Sequence, residues 1–190
     1  MKQTLCFRRT LCVLFLSLLT AQAQDLDIVF MHIAGSTTQL KGEVIQKGRE
    51  GLHKVLAYSH EIISPRDPAS GQATGRRQHQ PFRVVKRLNQ SSPLLLDAIA
   101  NKEKLKSVTI DVWGIVSIGG TAGTERKMLT YTLTGAEVIS LRPWMPNKSD
   151  ASANNYPAAE EVSFSYDSIT VTWVDGGVTA TDTWSATVER

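Results

Sequence analysis

Four histidines are the first side chains to consider for metal or catalytic chemistry. They are His32, His53, His60 and His79. No two of them stand four residues apart, the spacing that places two imidazoles on one helix face to hold a metal. His79 follows Arg76 and Arg77, whose positive charges repel a metal cation. The histidine pattern therefore predicts no metal site.

The remaining candidates for chemistry are acidic residues, nucleophiles and a glycine-rich stretch. Glu160 and Glu161 are neighbours in a predicted strand, so their side chains point to opposite faces and cannot flank one bond. We interpret the pair as a solvated strand entry. No Gly-x-Ser-x-Gly elbow is present, and Gly119–Gly123 lacks the lysine of a phosphate-binding loop. The sequence predicts no catalytic site and no cofactor, and hence not an enzyme.

The beginning of the chain has the features of an export signal. Three basic residues are followed by the apolar run Leu11–Leu19 and by the small-residue triplet Ala21–Ala23. The run reaches about 14 Å as a helix, far less than a bilayer core of roughly 30 Å. We predict cleavage after Ala23, residues 1–23 as signal peptide, one domain from Gln24 to Arg190, and a secreted or periplasmic location. A buried core helix or a short anchor is the alternative.

The composition narrows the classes of partner. Three of the 21 basic residues lie in the predicted signal, which leaves 18 acidic residues balanced by as many basic ones. A neutral domain has no general attraction to nucleic acid or to anionic lipid. Both cysteines, Cys6 and Cys12, also lie in the signal. We therefore expect neither nucleic-acid binding nor membrane insertion, and a core without disulfides.

Most of the chain has a strand-like pattern. Apolar residues alternate with polar ones at period two, and Gly-rich or Asp-Gly turns separate the runs. The phase changes at Asp167-Ser168, which indicates a bulge or a barrel corner. Seven to eight strands with one helix indicate a mainly β fold, an antiparallel barrel or sandwich. The predicted strands include Asp27–Ile33, Leu52–Ile63, Pro81–Leu88, Val108–Val116, Met128–Leu141, Val162–Trp173 and Thr179–Glu189.

One helix and one long loop interrupt the strands. Ser92 is a good N-cap and Pro93 suits the first helical position, while Leu95 and Ile99 share an apolar face. We expect this short helix to pack on the end of a barrel. Ser64–Gln80 contains prolines and glycines and almost no apolar residue, so it is predicted as a long loop with a function of its own.

Six segments in order along the chain resemble the Hcp family, the haemolysin-coregulated proteins of the bacterial type VI secretion system. The resemblance extends from Asp27 to Trp184. Its segments are Ala57–Ile62, Ser64–Pro68, Thr74–Phe82, Ser91–Leu96, Ile139–Asn147 and Glu160–Tyr166.

The resemblance implies a β-barrel with one short helix that assembles as a homohexameric ring around a channel. It further implies that the rings stack into the inner tube of the secretion machine, in contact with its sheath and tip proteins. The channel of such a ring can hold small effector proteins. The resemblance implies no catalytic site.

Two segments are predicted to dock subunits. A polar loop cannot build its own core, so we expect Ser64–Gln80 to reach a neighbouring subunit or ring. A freely mobile loop is the alternative. Its docking residues are expected to be Arg66, Asp67, Arg76, Arg77 and His79.

The second candidate is a docking corner, in which prolines fix the backbone around Arg142, Trp144 and Met145. A structural corner around a buried Trp144 is the alternative.

Two departures from the family leave a second function open. Family members usually begin close to the first strand without an export signal, and Ala34–Gly51 resembles the family poorly. The alternative to a tube protein is therefore an exported paralogue that acts as a periplasmic or secreted binding module.

Overall fold

A computed structural model describes residues 28–37, 39–116, 123–150, 152 and 156–184. Within these residues the chain forms strands and one short helix. They are β1 (Ile28–Ala34), β2 (Gln39–Leu40), β3 (His53–Ser59), β4 (Ile62–Ile63), β5 (Gln78–His79), β6 (Phe82–Arg87), α1 (Ser92–Ala100), β7 (Lys104–Val116), β8 (Thr124–Trp144), β9 (Ala159–Ser165), β10 (Ser168–Trp173) and β11 (Val178–Thr183).

Six antiparallel strands close into a barrel, as the sequence predicted. They follow the order β8-β7-β1-β3-β6-β9, and β9 pairs back onto β8. Closure is possible because β8 is 21 residues long. Its carboxyl-terminal half pairs with β9, and its amino-terminal half pairs with β10, which in turn pairs with β11. The hairpin β10–β11 therefore extends one wall of the barrel as a sheet.

The core has the predicted period-two pattern. Val108 and Ile110 on β7 are fully buried, as are Leu133 on β8 and Phe164 on β9. Alternation arises because one face of each strand lies inside the barrel and the other outside. The predicted phase change after Tyr166 is a corner between two strands, β9 and β10, rather than a bulge within one.

The corner depends on one glycine. Gly135 on β8 has a φ of +61°, a left-handed conformation that favours glycine. The amide of Asp167 donates to the carbonyl of Thr134 at 2.9 Å, beside this kink. The kink turns β8 from the extended sheet into the barrel.

The helix differs from the prediction at its start. Ser91 is the N-cap and Ser92 is already helical, with Pro93 in the first turn. The Ser92 hydroxyl is hydrogen-bonded to Glu160 instead of capping the helix. Leu95 and Ala98 are buried, and α1 packs against β8.

Several predicted boundaries shift. Leu52–Ile63 divides into β3 and β4, and the loop Ser64–Gln80 includes β5, which pairs with β4. The strands on either side of Gly119–Gly123 form an antiparallel pair, as a hairpin connection requires. Residues 119–122, the predicted signal at residues 1–23, and residues 185–190 lie outside the described residues.

Candidate functional site

The segment Ile62–His79 forms a hairpin that is separate from the main sheet. Ile62 pairs with His79, and Arg66 forms an isolated bridge with Ala73. Most of its side chains are exposed. The segment predicted as a loop therefore has a defined antiparallel conformation.

Hydrogen bonds within the hairpin fix its tip. The Asp67 carboxylate accepts hydrogen bonds from the amide of Ala69 at 3.0 Å and from the amide and hydroxyl of Ser70 at 2.6 and 2.8 Å. The bonds from Ser70 hold the pKa of Asp67 below its ordinary value. Arg66 donates to the carbonyl of Gly71 at 3.0 Å. Both side chains stabilise the turn of their own chain.

A polar and aromatic cluster anchors the base of the hairpin. The Tyr166 hydroxyl lies 2.6 Å from His60 Nε2 and 2.9 Å from His79 Nδ1. Asp182 Oδ1 accepts a hydrogen bond from Arg77 at 2.6 Å. Asp182 Oδ2 is 3.3 Å from His79 Nε2, close enough for electrostatic attraction but misaligned for a hydrogen bond. The cluster ties the hairpin to the β9–β10 corner and to β11.

Burial sets the protonation states in this cluster. It raises the pKa of Tyr166 and lowers the pKa of His60, which is lowered further by the nearby His79. Burial alone would raise the pKa of Asp182, but the hydrogen bond from Arg77 brings it below its ordinary value. At neutral pH the base of the hairpin thus holds a neutral Tyr166, a neutral His60 and an ionised Asp182.

The predicted docking residues of the hairpin have different surroundings. Arg77 and His79 contact Asp182 of the same chain, and His79 is buried. Arg66 and Asp67 shape the tip, and Arg76 is exposed. Contact of these residues with another subunit stays a prediction, and within one chain the carboxylate nearest to Arg77 is already Asp182.

The predicted docking corner lies at the opposite end of the barrel. Arg142 and Trp144 lie at the carboxyl-terminal end of β8, where Trp144 pairs with Ala159 of β9. Ala159 also pairs with Arg87, the last residue of β6. The six residues of β6 separate this end from the hairpin, a distance of about 20 Å. Trp144 is 39% exposed and Met145 is 67% exposed, so the alternative of a corner around a buried tryptophan is wrong.

The outer face of the extended sheet carries hydroxyl groups in register. Directly paired residues of β7, β8, β10 and β11 form three rows of four, and we call this surface the hydroxyl face. Thr170 and Thr172 contact Thr181 and Thr179 through their hydroxyls at 3.0 and 3.1 Å. The rows are Ser107-Thr134-Ser168-Thr183, Thr109-Thr132-Thr170-Thr181 and Asp111-Thr130-Thr172-Thr179.

The charge on the hydroxyl face is small. Asp111 is its acidic residue, and its carboxylate is paired with Lys127 at 2.9 Å and accepts a hydrogen bond from Thr130 at 2.7 Å. Side chains of this kind bind through hydrogen bonds rather than through net charge. The face offers a neutral, wettable surface.

We expected Glu160 to be exposed to solvent at the start of its strand, and this expectation is wrong. Glu160 is 1% exposed and forms an ion pair of 2.5 Å with Lys86, which is fully buried. Lys86 also donates to the side-chain oxygen of Asn89 at 3.0 Å, and Ser92 donates to Glu160 at 2.8 Å. Burial of the pair follows from its position, because β9 lies between β6 and β8 and the start of α1 is hydrogen-bonded to it.

The same polar cluster reaches His53. Its Nε2 is 2.9 Å from the carbonyl of Leu40, and its Nδ1 is 3.3 Å from the amide nitrogen of Asn89. The Asn89 amide also donates to Glu43. Sequence analysis missed this cluster. The available signal was that Lys86 is two residues from Val84 and four from Phe82, so all three side chains point to the same face of β6.

Arg49 fixes the segment Ala34–Gly51, which resembles the family poorly. Sequence analysis did not predict its contacts either. Arg49 is 8% exposed and lies over the rings of Trp113 and Phe30, at 3.8 and 4.8 Å from their centres. It forms an ion pair with Glu125 at 2.9 Å and donates to Gln46 at 3.3 Å. No motif in the sequence signals a cation–π contact over this separation.

Two searches concern other kinds of site. Among the described residues, no group of three or more His, Cys, Asp or Glu side chains could hold a metal ion. In that same part of the chain, no helix has both the length and the apolar character that a membrane crossing requires.

Comparison with solved structures places this fold in one class of β-barrel. A structure described as an Hcp protein superposes with a TM-score of 0.75 at 26% identity, covering 85% of this chain and all of the other (100%). A mutant form of the Hcp1 protein from the E. coli EAEC 042 pathovar superposes with a TM-score of 0.71 at 29% identity, covering 83% of this chain and 98% of the other. The chain is an Hcp-like β-barrel.

Sequence comparison identifies the family. The family profile described as "Type VI secretion system effector, Hcp" matches residues 30–173. The "Major exported protein" of Pseudomonas aeruginosa PAO1 is 36% identical over 147 residues, which are 77% of this chain and 83% of that protein. The chain belongs to the Hcp family of the type VI secretion system. This is a family of secreted tube components rather than of enzymes.

Proposed function

We propose that the chain forms a ring of six subunits and that such rings stack into the inner tube of a type VI secretion machine. The observation that carries the proposal is the free edge of β11. Every other long strand among the described residues has a partner on both sides, whereas β11 pairs with β10 alone. An unpaired edge favours association with another chain. Family membership supports a second copy as that chain.

The hydroxyl face has a function in this ring. It lines the channel, where a neutral polar wall lets small effector proteins be held and released without strong electrostatic binding. The hairpin Ile62–His79 and the Trp144 end lie at opposite ends of the barrel and so on opposite faces of the ring. The two faces differ, so stacking through them continues as an open filament.

Ring formation is the first testable prediction. The chain from Gln24 onward should give a closed oligomer of six subunits in native mass spectrometry and annular particles in negative-stain images. Because its acidic and basic residues balance, raising the salt concentration should change the fraction of rings little. A monomer at high protein concentration would contradict the proposal.

Shortening the hairpin should separate rings from tubes. Deleting Ala69–Gly75 removes exposed residues and the tip of the hairpin, so the barrel should keep its melting temperature while stacked tubes are lost. Electron microscopy at high protein concentration measures the tubes. Arg76→Glu in the intact hairpin tests the exposed charge alone, with Arg76→Lys, which keeps the charge at the same position, as the matched control. Tubes that persist after the deletion would refute a role of the hairpin in stacking.

A second function is favoured by the predicted export signal. A chain exported through Leu11–Leu19 can act in the periplasm or outside the cell as a binding module without entering a sheath. Export of the full chain with loss of residues 1–23 and no ring in the secreted product would favour this function over the tube.

A further inference from the structure

Two histidines at the base of the hairpin meet at one hydroxyl group. His60 precedes β4 and His79 is the last residue of β5, so they lie on the two sides of the base. The Tyr166 hydroxyl is 2.6 Å from His60 Nε2 and 2.9 Å from His79 Nδ1. Tyr166 follows β9 and is 3% exposed. One buried hydroxyl therefore joins both sides of the hairpin to the barrel.

Asp182 sets the direction of the hydrogen bonds at this hydroxyl. A tyrosine hydroxyl has one proton, so it donates to one imidazole and accepts from the other. Asp182 Oδ2 lies 3.3 Å from His79 Nε2, and its negative charge favours a proton on that nitrogen. His79 Nδ1 then accepts from the Tyr166 hydroxyl, and His60 Nε2 donates to it. The contacts thus form one chain from Asp182 through His79 and Tyr166 to His60.

Asp182 belongs to a different element, the edge strand β11. It stands opposite Ile169 of β10, on the face of the sheet away from the hydroxyl face. Its Oδ1 accepts a hydrogen bond from Arg77 of the hairpin at 2.6 Å. The hairpin is therefore attached to β11 as well as to the β9–β10 corner, and neither attachment occupies the hydroxyl face.

The residue that follows β11 also contacts the base of the hairpin. The Trp184 ring stacks on His79 with ring centres 5.6 Å apart, and it meets the Tyr166 ring edge-on at 5.3 Å. Its amide donates to the carbonyl of Asp167 at 2.9 Å. The end of β11 thus supplies two side chains, Asp182 and Trp184, that hold the hairpin in one orientation.

The strand that supplies these side chains is held on one side only. Within the described residues β11 pairs with β10 alone, and most of its side chains are exposed. An edge strand with one ladder of hydrogen bonds opens locally more readily than a strand with two. A neighbour on the free edge would fix β11 and, with it, Asp182 and Trp184. Because these residues contact Arg77 and His79, fixing β11 lowers the entropy cost of ordering the hairpin.

We propose that Tyr166 and Asp182 are positioning residues that couple the two contacts of the assembly, so that pairing of β11 within a ring orders the hairpin that stacks the rings. The inference rests on the proposed function, in which β11 forms the lateral contact and the hairpin forms the contact between rings. It gives the assembly an order, because a subunit outside a ring presents a less ordered hairpin and stacks poorly.

Hydrogen exchange measures the coupling directly. The amides of Thr74 and Gln80 donate across the hairpin to the carbonyls of Pro65 and Glu61, so their exchange reports on its order. In the natural chain, exchange at both amides should be slower by about tenfold in rings than in monomers kept at low protein concentration. In Tyr166→Phe the link is lost, so exchange should be equally fast in monomers and rings.

Stacking gives the second readout. Tyr166→Phe should form rings as the natural chain does, because Tyr166 lies outside β11, but the protein concentration for half-maximal stacking should rise by about tenfold. Tyr131→Phe is the matched control. Its hydroxyl has no hydrogen bond within the described part of the chain, and its ring packs against Tyr58 and Phe82. This control should stack normally in electron microscopy.

A second position keeps the test valid if loss of the buried hydroxyl unfolds the barrel. His60→Ala removes one side of the base at a half-buried position, and His60→Gln restores a side-chain donor toward Tyr166. Stacking should weaken in the first variant and recover in the second. Variants with equal melting temperatures are compared, so a general loss of stability would not produce this difference.

The outcomes distinguish this inference from the proposed function. Fast exchange in Tyr166→Phe rings together with weakened stacking supports the coupling. Normal stacking of Tyr166→Phe, or a natural hairpin whose exchange is the same in monomers and rings, overturns the coupling and leaves the proposed function intact. Absence of rings in the natural chain overturns both.

Discussion

Replacing Lys86 with methionine should lower the free energy of unfolding by about 3–5 kcal/mol. The ammonium and the Glu160 carboxylate, 2.5 Å apart, are both buried, with exposures of 0% and 1%. Removing the ammonium leaves a carboxylate inside the barrel with one remaining donor, the Ser92 hydroxyl. Urea unfolding at pH 7.5, followed by tryptophan fluorescence, measures the loss. A small domain has about 5–15 kcal/mol of stability in total, so this single change should bring it close to unfolding at 37 °C.

A double variant tests whether the loss comes from an isolated charge. Lys86→Met with Glu160→Leu removes both charges and fills the space with apolar groups, so about half of the lost stability should return. Full recovery is not expected. Asn89 loses the hydrogen bond from Lys86, and Ser92 loses its acceptor. If the double variant is as unstable as the sum of both single variants, isolated charge is not the cause.

An exposed ion pair serves as the control. Lys104 and Asp167 lie 2.7 Å apart with side-chain exposures of 56% and 65%. Water and salt screen such a pair, so Lys104→Met should leave the unfolding midpoint nearly unchanged. A large loss there would mean that removing any paired lysine destabilises the protein. Burial of the charges would then not explain the effect at Lys86.

The barrel could be predicted from the sequence because each core strand has one face toward the core and one toward solvent. Val108, Ile110 and Val112 alternate with polar residues and lie inside, as predicted. The same alternation continues through Phe82 and Val84 to Lys86, but a lysine at an apolar position conflicts with its usual exposure. The conflict is resolved by Glu160, which stands opposite Lys86 in the β6–β9 register. A register between strands distant in sequence is set by the closed barrel and not by local pattern.

The segments predicted to dock subunits show the same limit. Trp144 and Met145 are exposed, which docking would require, and docking itself stays a prediction. The partners of Arg77 and Arg49 were not predictable, because Asp182 and Glu125 come near only after the chain folds. The threonines of β8 were apparent as one face of a strand. Their alignment with those of β10 and β11 depends on strand pairing.

Acid should destabilise the protein through His53. Burial lowers the pKa of this imidazole from 6.5 to about 4, while the bond to the Leu40 carbonyl opposes the shift and the positive charge of Lys86 adds to it. The unfolded chain thus binds a proton below pH 6.5 that the folded chain refuses until about pH 4. The free energy of unfolding should fall by about 3 kcal/mol between these two values. The contribution of neutral His53 is complete above pH 6.5 and is lost as the pH falls.

The hydrogen bonds of His53 give the physical reason. Nε2 donates to the carbonyl of Leu40, which leaves Nδ1 as an acceptor facing the amide nitrogen of Asn89. A second proton on Nδ1 would point at that donor, and the positive charge of Lys86 would repel it. The negative charges of Glu43 and Glu160 offset part of this repulsion.

A variant that cannot titrate tests the assignment. His53→Gln keeps a donor for the Leu40 carbonyl, so it should flatten the slope of unfolding free energy against pH between 6.5 and 4. His32→Gln, at an exposed position on β1, is the control and should leave the slope unchanged. Urea titrations at several pH values give the slope for each variant. If His53→Gln keeps the slope of the natural chain, other groups bind the proton, with His60 next because burial also lowers its pKa.

Since the buried pair of Lys86 and Glu160 contacts the same cluster, acid should weaken one end of the barrel first, the end that carries α1 and the segment before β3.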